Sequence, residues 1–121
     1  MSLLVSLGLA AWLRIESDNE VKGRYFFPTN YLSAAAERRE AILRLASELG
    51  GREKWVPLSR LMYSAMMKCR LAPENVRQAL MELADADPTT YQLSEVSRVL
   101  VVDDAYVKFR GSMRSHVRLG A

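Results

Sequence analysis

The sequence has few of the residues from which specialised sites are built. Its 121 residues include one cysteine, Cys69, and one histidine, His116. A single thiol forms no internal disulfide, and one thiol with one imidazole falls short of a four-ligand zinc site. No glycine-rich loop precedes a Lys-Ser or Lys-Thr pair, so a P-loop phosphate cradle is excluded. Asp85 and Asp87, like Asp103 and Asp104, have the spacing of residues that ordinarily make turns and helix ends. Glu16, Asp18 and Glu20 alternate without the glycine and terminal glutamate of a calcium loop. Cys69 falls on an apolar helical stripe, where it reads as an inert core thiol. Nothing in the sequence brings His116 to it. No catalytic residue, metal ligand or cofactor is assigned, and the expectation is a non-enzymatic protein.

Long hydrophobic runs are also missing. The apolar stretch from Leu3 to Leu13 is too short to cross a membrane, and no basic residue precedes it as in a secretory leader. A cytoplasmic protein with no membrane partner is expected. Amides are scarce, with 3 Asn and 2 Gln, and arginine outnumbers lysine 13 to 4. Low amide content is a trait of heat-adapted proteins, so a thermophilic source is a second expectation.

What is present is enough for a core. Half of the residues are apolar, which suits one domain of this length. Leu3, Val5, Leu7, Leu9, Leu13 and Ile15 alternate with Ser6, Gly8, Trp12, Arg14 and Glu16, the period of a strand with one buried face. After the polar turn 17–20, Val21, Tyr25 and Phe27 alternate with Lys22, Arg24 and Phe26. The pair reads as a β-hairpin, with Gly23 at a candidate bulge.

Helical spacing follows. A first helix is expected over about 33–49, with Ala35, Ile42, Leu45, Ala46 and Leu49 inward, and Glu40, Arg44 and Glu48 outward at four-residue steps. A second starts near Pro57 and buries Leu58, Leu61, Met62, Ala65, Met66 and Cys69, leaving Arg60, Tyr63, Met67 and Arg70 on the other side. A third starts at Pro73, buries Val76, Ala79, Leu80 and Leu83, and ends before Pro88. Val99 and Val101, then Val107 and Phe109, alternate with polar residues around Asp103 and Asp104, the pattern of a second hairpin. The fold class is α+β, with an antiparallel sheet from N- and C-terminal hairpins packed on three helices. Residues 1–110 read as the single domain and 111–121 as a mobile basic tail holding Arg114, His116 and Arg118.

Charge is unevenly spread. The total is +3, but 31–72 carries +4, 73–104 carries −5 and 105–121 carries +4. Strand parity then selects an outward surface. In the first hairpin it holds Trp12, Arg14, Lys22, Arg24 and Phe26, and in the second Arg98, Tyr106, Lys108 and Arg110. If both hairpins share one sheet, cations and rings interleave on one face. Cations neutralise phosphates and rings stack unpaired bases. The expected function is non-enzymatic binding of single-stranded DNA or RNA, DNA first. The plainer alternative is that Trp12 and Phe26 fill a second small core or a dimer contact, since aromatics favour strands in any case. A long apolar N-terminal strand has an edge to cover, which suggests a homo-oligomer.

Two resemblances bear on this reading. From about Leu32 onward the order of three helices and a hairpin resembles a winged helix-turn-helix, with Ala72-Pro-Glu-Asn-Val-Arg-Gln-Ala-Leu-Met-Glu-Leu83 in the place of the recognition helix. The resemblance implies that Asn75, Arg77 and Gln78 read bases in duplex DNA while Lys108 and Arg110 touch the backbone from the wing. Glu74, Glu82 and Asp85 depart from it, because carboxylates on such a helix repel phosphates. The layout is also similar to the non-standard single-stranded DNA-binding proteins of hyperthermophilic archaea, without a motif matched residue by residue. A protein-interaction module using the acidic third helix is the remaining alternative.

Overall fold

The computed structural model describes residues 10–15, 23–28, 34–50, 54–95 and 105–120. The class is α+β, with antiparallel strands throughout. Strands β1 (Ala10–Ile15) and β2 (Gly23–Pro28) precede helix α1 (Ala35–Glu48). A two-residue strand, β3 (Val56–Pro57), leads into α2 (Leu58–Ser64), which continues as a π-helical turn over Ala65–Cys69. Helix α3 (Pro73–Ala86) is followed by β4 (Tyr91–Glu95), β5 (Val107–Phe109) and β6 (Ser112–Leu119).

Among the described residues the strands form two sheets, not one. The first is the β1–β2 ribbon, in unbroken register from Ala10↔Pro28 to Ile15↔Gly23, so Gly23 opens β2 without a bulge. Its φ of +146° is one that side chains resist, and the Tyr25 ring lies 3.3 Å from where a Cβ would stand. In the second sheet, β6 is central. β4 runs along one edge of it, and β5 then β3 share the other.

This overturns the expectation of a tail. Ser112–Leu119 is the strand that holds the sheet together, with Val117 and Leu119 buried in the core. It reads as a tail because Val117 and Leu119 are only two alternating apolar positions, interspersed with Ser115, His116 and Arg118. Its partners supply the rest of the buried layer. The C-terminal hairpin shifts as well: β5 turns through Arg110 and Gly111 into β6, both at positive φ, as a two-residue type I′ loop requires. The expected partner strand at 98–102 lies outside the described residues.

The helices match their spacing closely. Ile42, Leu45 and Ala46 of α1 are buried, as are Leu58, Leu61, Met62, Ala65 and Met66 of α2 and its extension, and Val76, Ala79, Leu80 and Leu83 of α3. Ala35 differs: in the first turn of α1 it is exposed, because that turn projects beyond the core. Pro73 occupies the first turn of α3, where its missing N–H costs nothing. Pro57 precedes α2 as its N-cap.

One core joins all layers. Leu13 and Ile15 of β1 are fully buried with Ile42, Leu61, Val76, Val107 and Val117. β1 packs on α3, and the rings of Tyr25 and Tyr63 meet edge to face at 5.2 Å, tying β2 to α2. Burying side chains of this size contributes roughly 1.5–3 kcal/mol each, so Leu13 and Ile15 anchor the ribbon. No described helix is long and apolar enough to cross a membrane.

Candidate functional site

The expected platform divides between the two sheets. On β1, Trp12 is 36% exposed beside buried Leu13, and Arg14 is half-buried beside buried Ile15. The predicted parity of this strand is therefore correct. The register sets Phe26 opposite Trp12 and Arg24 opposite Arg14. Lys22 and Arg98 lie outside the described residues. On β5, Lys108 is exposed between buried Val107 and Phe109, and Arg110 stands exposed in the turn. Since β5 pairs with β6, Lys108 and Arg110 share no sheet with Trp12 and Arg14. The single shared surface expected from the sequence is not formed by these strands.

Tyr106 and Arg77 are occupied by each other. The Arg77 guanidinium lies 4.7 Å from the Tyr106 ring centroid, and its Nε donates to the Tyr106 carbonyl at 3.0 Å. Nη1 also donates to Glu74 Oε2 at 3.2 Å, leaving the side chain 16% exposed. Arg77 thus fastens the start of β5 to α3 and is not presented as a base reader. Gln78 is exposed and Asn75 half-buried. Glu74, Gln78, Met81 and Asp85 form an exposed face of α3 without a cation, while Glu82 is paired with Arg39.

A different basic and aromatic surface lies on the outer side of the four-stranded sheet. Leu93 and Val117 are buried register partners, so their neighbours Gln92, Ser94, His116 and Arg118 project away from the helices. Arg118 Nη2 donates to Gln92 Oε1 at 2.7 Å, and its guanidinium sits 5.3 Å from the Trp55 ring centroid. Trp55, just ahead of β3, is 42% exposed. The adjoining pair Lys108↔Met113 continues this side toward the hairpin tip.

A β-bulge sets the limit of that surface. Ser94 pairs with His116 but Glu95 pairs with Arg114, leaving Ser115 as an extra residue on β6. The extra residue reverses parity, so Arg114 falls opposite buried Val107. Its guanidinium donates to the carbonyls of Leu93 at 2.8 Å and Phe109 at 3.5 Å, bracing β4 and β5 across β6. At the bulge Ser115 Oγ lies 2.6 Å from His116 Nδ1. Arg114 is thus a structural brace, and the expected solvated His116 is instead half-buried on the central strand.

Trp55 and Arg118 are the residues sequence reasoning passes over. The alternation of His116, Val117, Arg118 and Leu119 is the available signal, and it is only four residues long. Cys69 is half-buried at the end of the π-helical turn. Among the described residues, no group of three His, Cys, Asp or Glu could hold a metal ion.

The chain matches no protein-family model, no curated protein and no solved structure.

Proposed function

We propose that this chain binds single-stranded nucleic acid, with DNA ahead of RNA, on the outer face of its four-stranded sheet. The observation that carries the reading is the Trp55–Arg118 pair: an exposed indole with a guanidinium stacked on it, both on the solvent side of the sheet. Bases stack on indole rings and on guanidinium planes alike. Lys108 adds a cation for the backbone, and Gln92 and Ser94 add hydrogen-bonding groups. No carboxylate is among the described side chains of this face. Trp12, Arg14, Arg24 and Phe26 belong to a separate ribbon and are not needed for this site.

The test is fluorescence anisotropy with a labelled single strand and its matched duplex. The parent protein is expected to prefer the single strand, and Trp55→Ala to weaken that binding about tenfold, since stacking is worth roughly 1–3 kcal/mol per base. Equal affinity of parent and Trp55→Ala would contradict the assignment.

A second reading has its own support. The order α1, β3, α2, α3, β4 and a hairpin ending in β6, with β6 between β3 and β4, resembles that of a winged helix and supports this reading. Duplex binding in that mode would present α3 to the major groove. The acidic exposed face of α3 and the engaged Arg77 oppose it. Preference for duplex in the same titration, lost in Gln78→Ala, would favour this second reading.

A further inference from the structure

The chain has one histidine, and it stands in the middle of the four-stranded sheet. On β6, His116 is the register partner of Pro57 on one side and of Ser94 on the other. Buried Val117 follows it, so His116 shares the outer side of the strand with Arg118. Trp55, two residues ahead of Pro57, meets that same Arg118. The imidazole therefore lies among the residues of the candidate site.

Its surroundings fix the ring without using it up. The side chain is half-buried, and Ser115 Oγ lies 2.6 Å from Nδ1 at the bulge. A serine hydroxyl donates to a neutral Nδ1 or accepts from Nδ1–H, so this contact persists in either charge state. Nε2 has no partner among the described residues. Ser94 Oγ donates to the His116 carbonyl at 3.5 Å, which holds the strand and not the ring.

The neighbours set the charge around it. β3 and the residue before it present Pro57 and Trp55, and β4 presents Gln92 and Ser94, none of them charged. The charged side chains described on this face are Arg118 of the same strand and Lys108 of β5, while Arg114 turns to the carbonyls of Leu93 and Phe109. Imidazole is the side chain that changes charge near neutral pH. An anion laid on the face favours its charged form, in which Nε2–H donates.

We propose that His116 in its protonated form is a phosphate contact of the sheet face, so that single-strand binding is linked to proton uptake at this residue. The inference rests on the single-strand reading above and adds to it a dependence on pH. Binding tightens as pH falls through the range in which imidazole titrates and weakens as pH rises through it.

The test uses the full chain and an oligothymidine without a terminal phosphate, since neither thymine nor an internal phosphodiester titrates in this range. Parent affinity is expected to rise about threefold on acidification from roughly pH 7.5 to 5.5. Folded His116→Gln, checked by circular dichroism, should keep the weaker affinity throughout. Binding heats in two buffers of different ionisation enthalpy read the proton uptake on the parent itself, and they should differ. Equal heats, or a parent affinity that is flat with pH, would overturn this assignment alone if Trp55→Ala is still weakened. The parent's pH dependence persisting in folded His116→Gln would also overturn it, by placing the proton elsewhere. Absence of single-strand binding by the parent at either pH would overturn the functional reading together with it.

Discussion

The two tryptophans make a natural comparison. Trp12 stands on a two-stranded ribbon, and Trp55 beside a sheet whose central strand has partners on both sides. Both are partly exposed, and both have arginine close in the strand pattern. The ribbon's register sets the backbone of Arg24 across from that of Arg14. At Trp55 the cation is already placed: Arg118 lies over the ring and is held by Gln92. Alternation of residue types marks a surface in both regions. Only strand pairing brings Trp55 and Arg118, far apart in sequence, together on one side of the sheet.

The sharpest way to break this comparison is to loosen one region and ask whether the other survives. Leu13→Ala removes a fully buried side chain from β1 and should lower unfolding free energy by about 3 kcal/mol in urea titrations. Below its transition the variant should bind single strands as the parent does. Loss of binding in the folded variant would mean that the ribbon belongs to the site.

The next effect is on the brace. Arg114→Ala leaves the carbonyls of Leu93 and Phe109 without their guanidinium partner and should cost about 2 kcal/mol. Hydrogen exchange should speed up most in β4 and β5. Uniform acceleration over the whole chain would deny Arg114 a local role.

Binding effects come third. Arg118→Ala should weaken single-strand affinity several-fold, through loss of the stacked cation, whereas Arg14→Ala should change it less than about twofold. Equal losses would merge the two surfaces into one.

The smallest effect is on acid stability. The Asp87 carboxyl accepts from the hydroxyl of Thr90 at 2.7 Å and from its N–H at 3.3 Å, fixing the exit of α3 toward β4. The Thr90 hydroxyl, then its backbone N–H, hold the Asp87 pKa below the usual 3.8. A lowered native pKa gives stability that is present above the unfolded value and lost as pH falls through the native one. Asp87→Asn should therefore differ least from the parent at pH values below that lowered pKa, and most above 3.8. A stability difference that grows toward acid would reverse the sign of this coupling.

Much of the fold is legible in local pattern, and the rest depends on contacts between distant segments. The buried sides of α2 and α3 and the inward Leu13 and Ile15 follow from apolar spacing, which burial enforces directly. β3 is two residues long, and among the described side chains of β4 Leu93 is the one buried, so neither has a period to detect. β6 hides for a related reason, because its order comes from three partner strands. The bulge at Ser115 then redirects Arg114, which no alternation can foretell. The site inherits these limits. Lys108 and Arg110 are legible as exposed cations, while the meeting of Trp55 with Arg118 joins residues distant in sequence that the pairing of β3 with β6 makes neighbours.

Because Trp12 and Trp55 are the only tryptophans, each can be watched alone. The most direct measurement is intrinsic fluorescence of Trp12→Phe and Trp55→Phe during titration with a single strand. The account predicts strong quenching when Trp55 is the remaining indole and almost none when Trp12 is. Quenching of Trp12, with Trp55 unaffected, would contradict it.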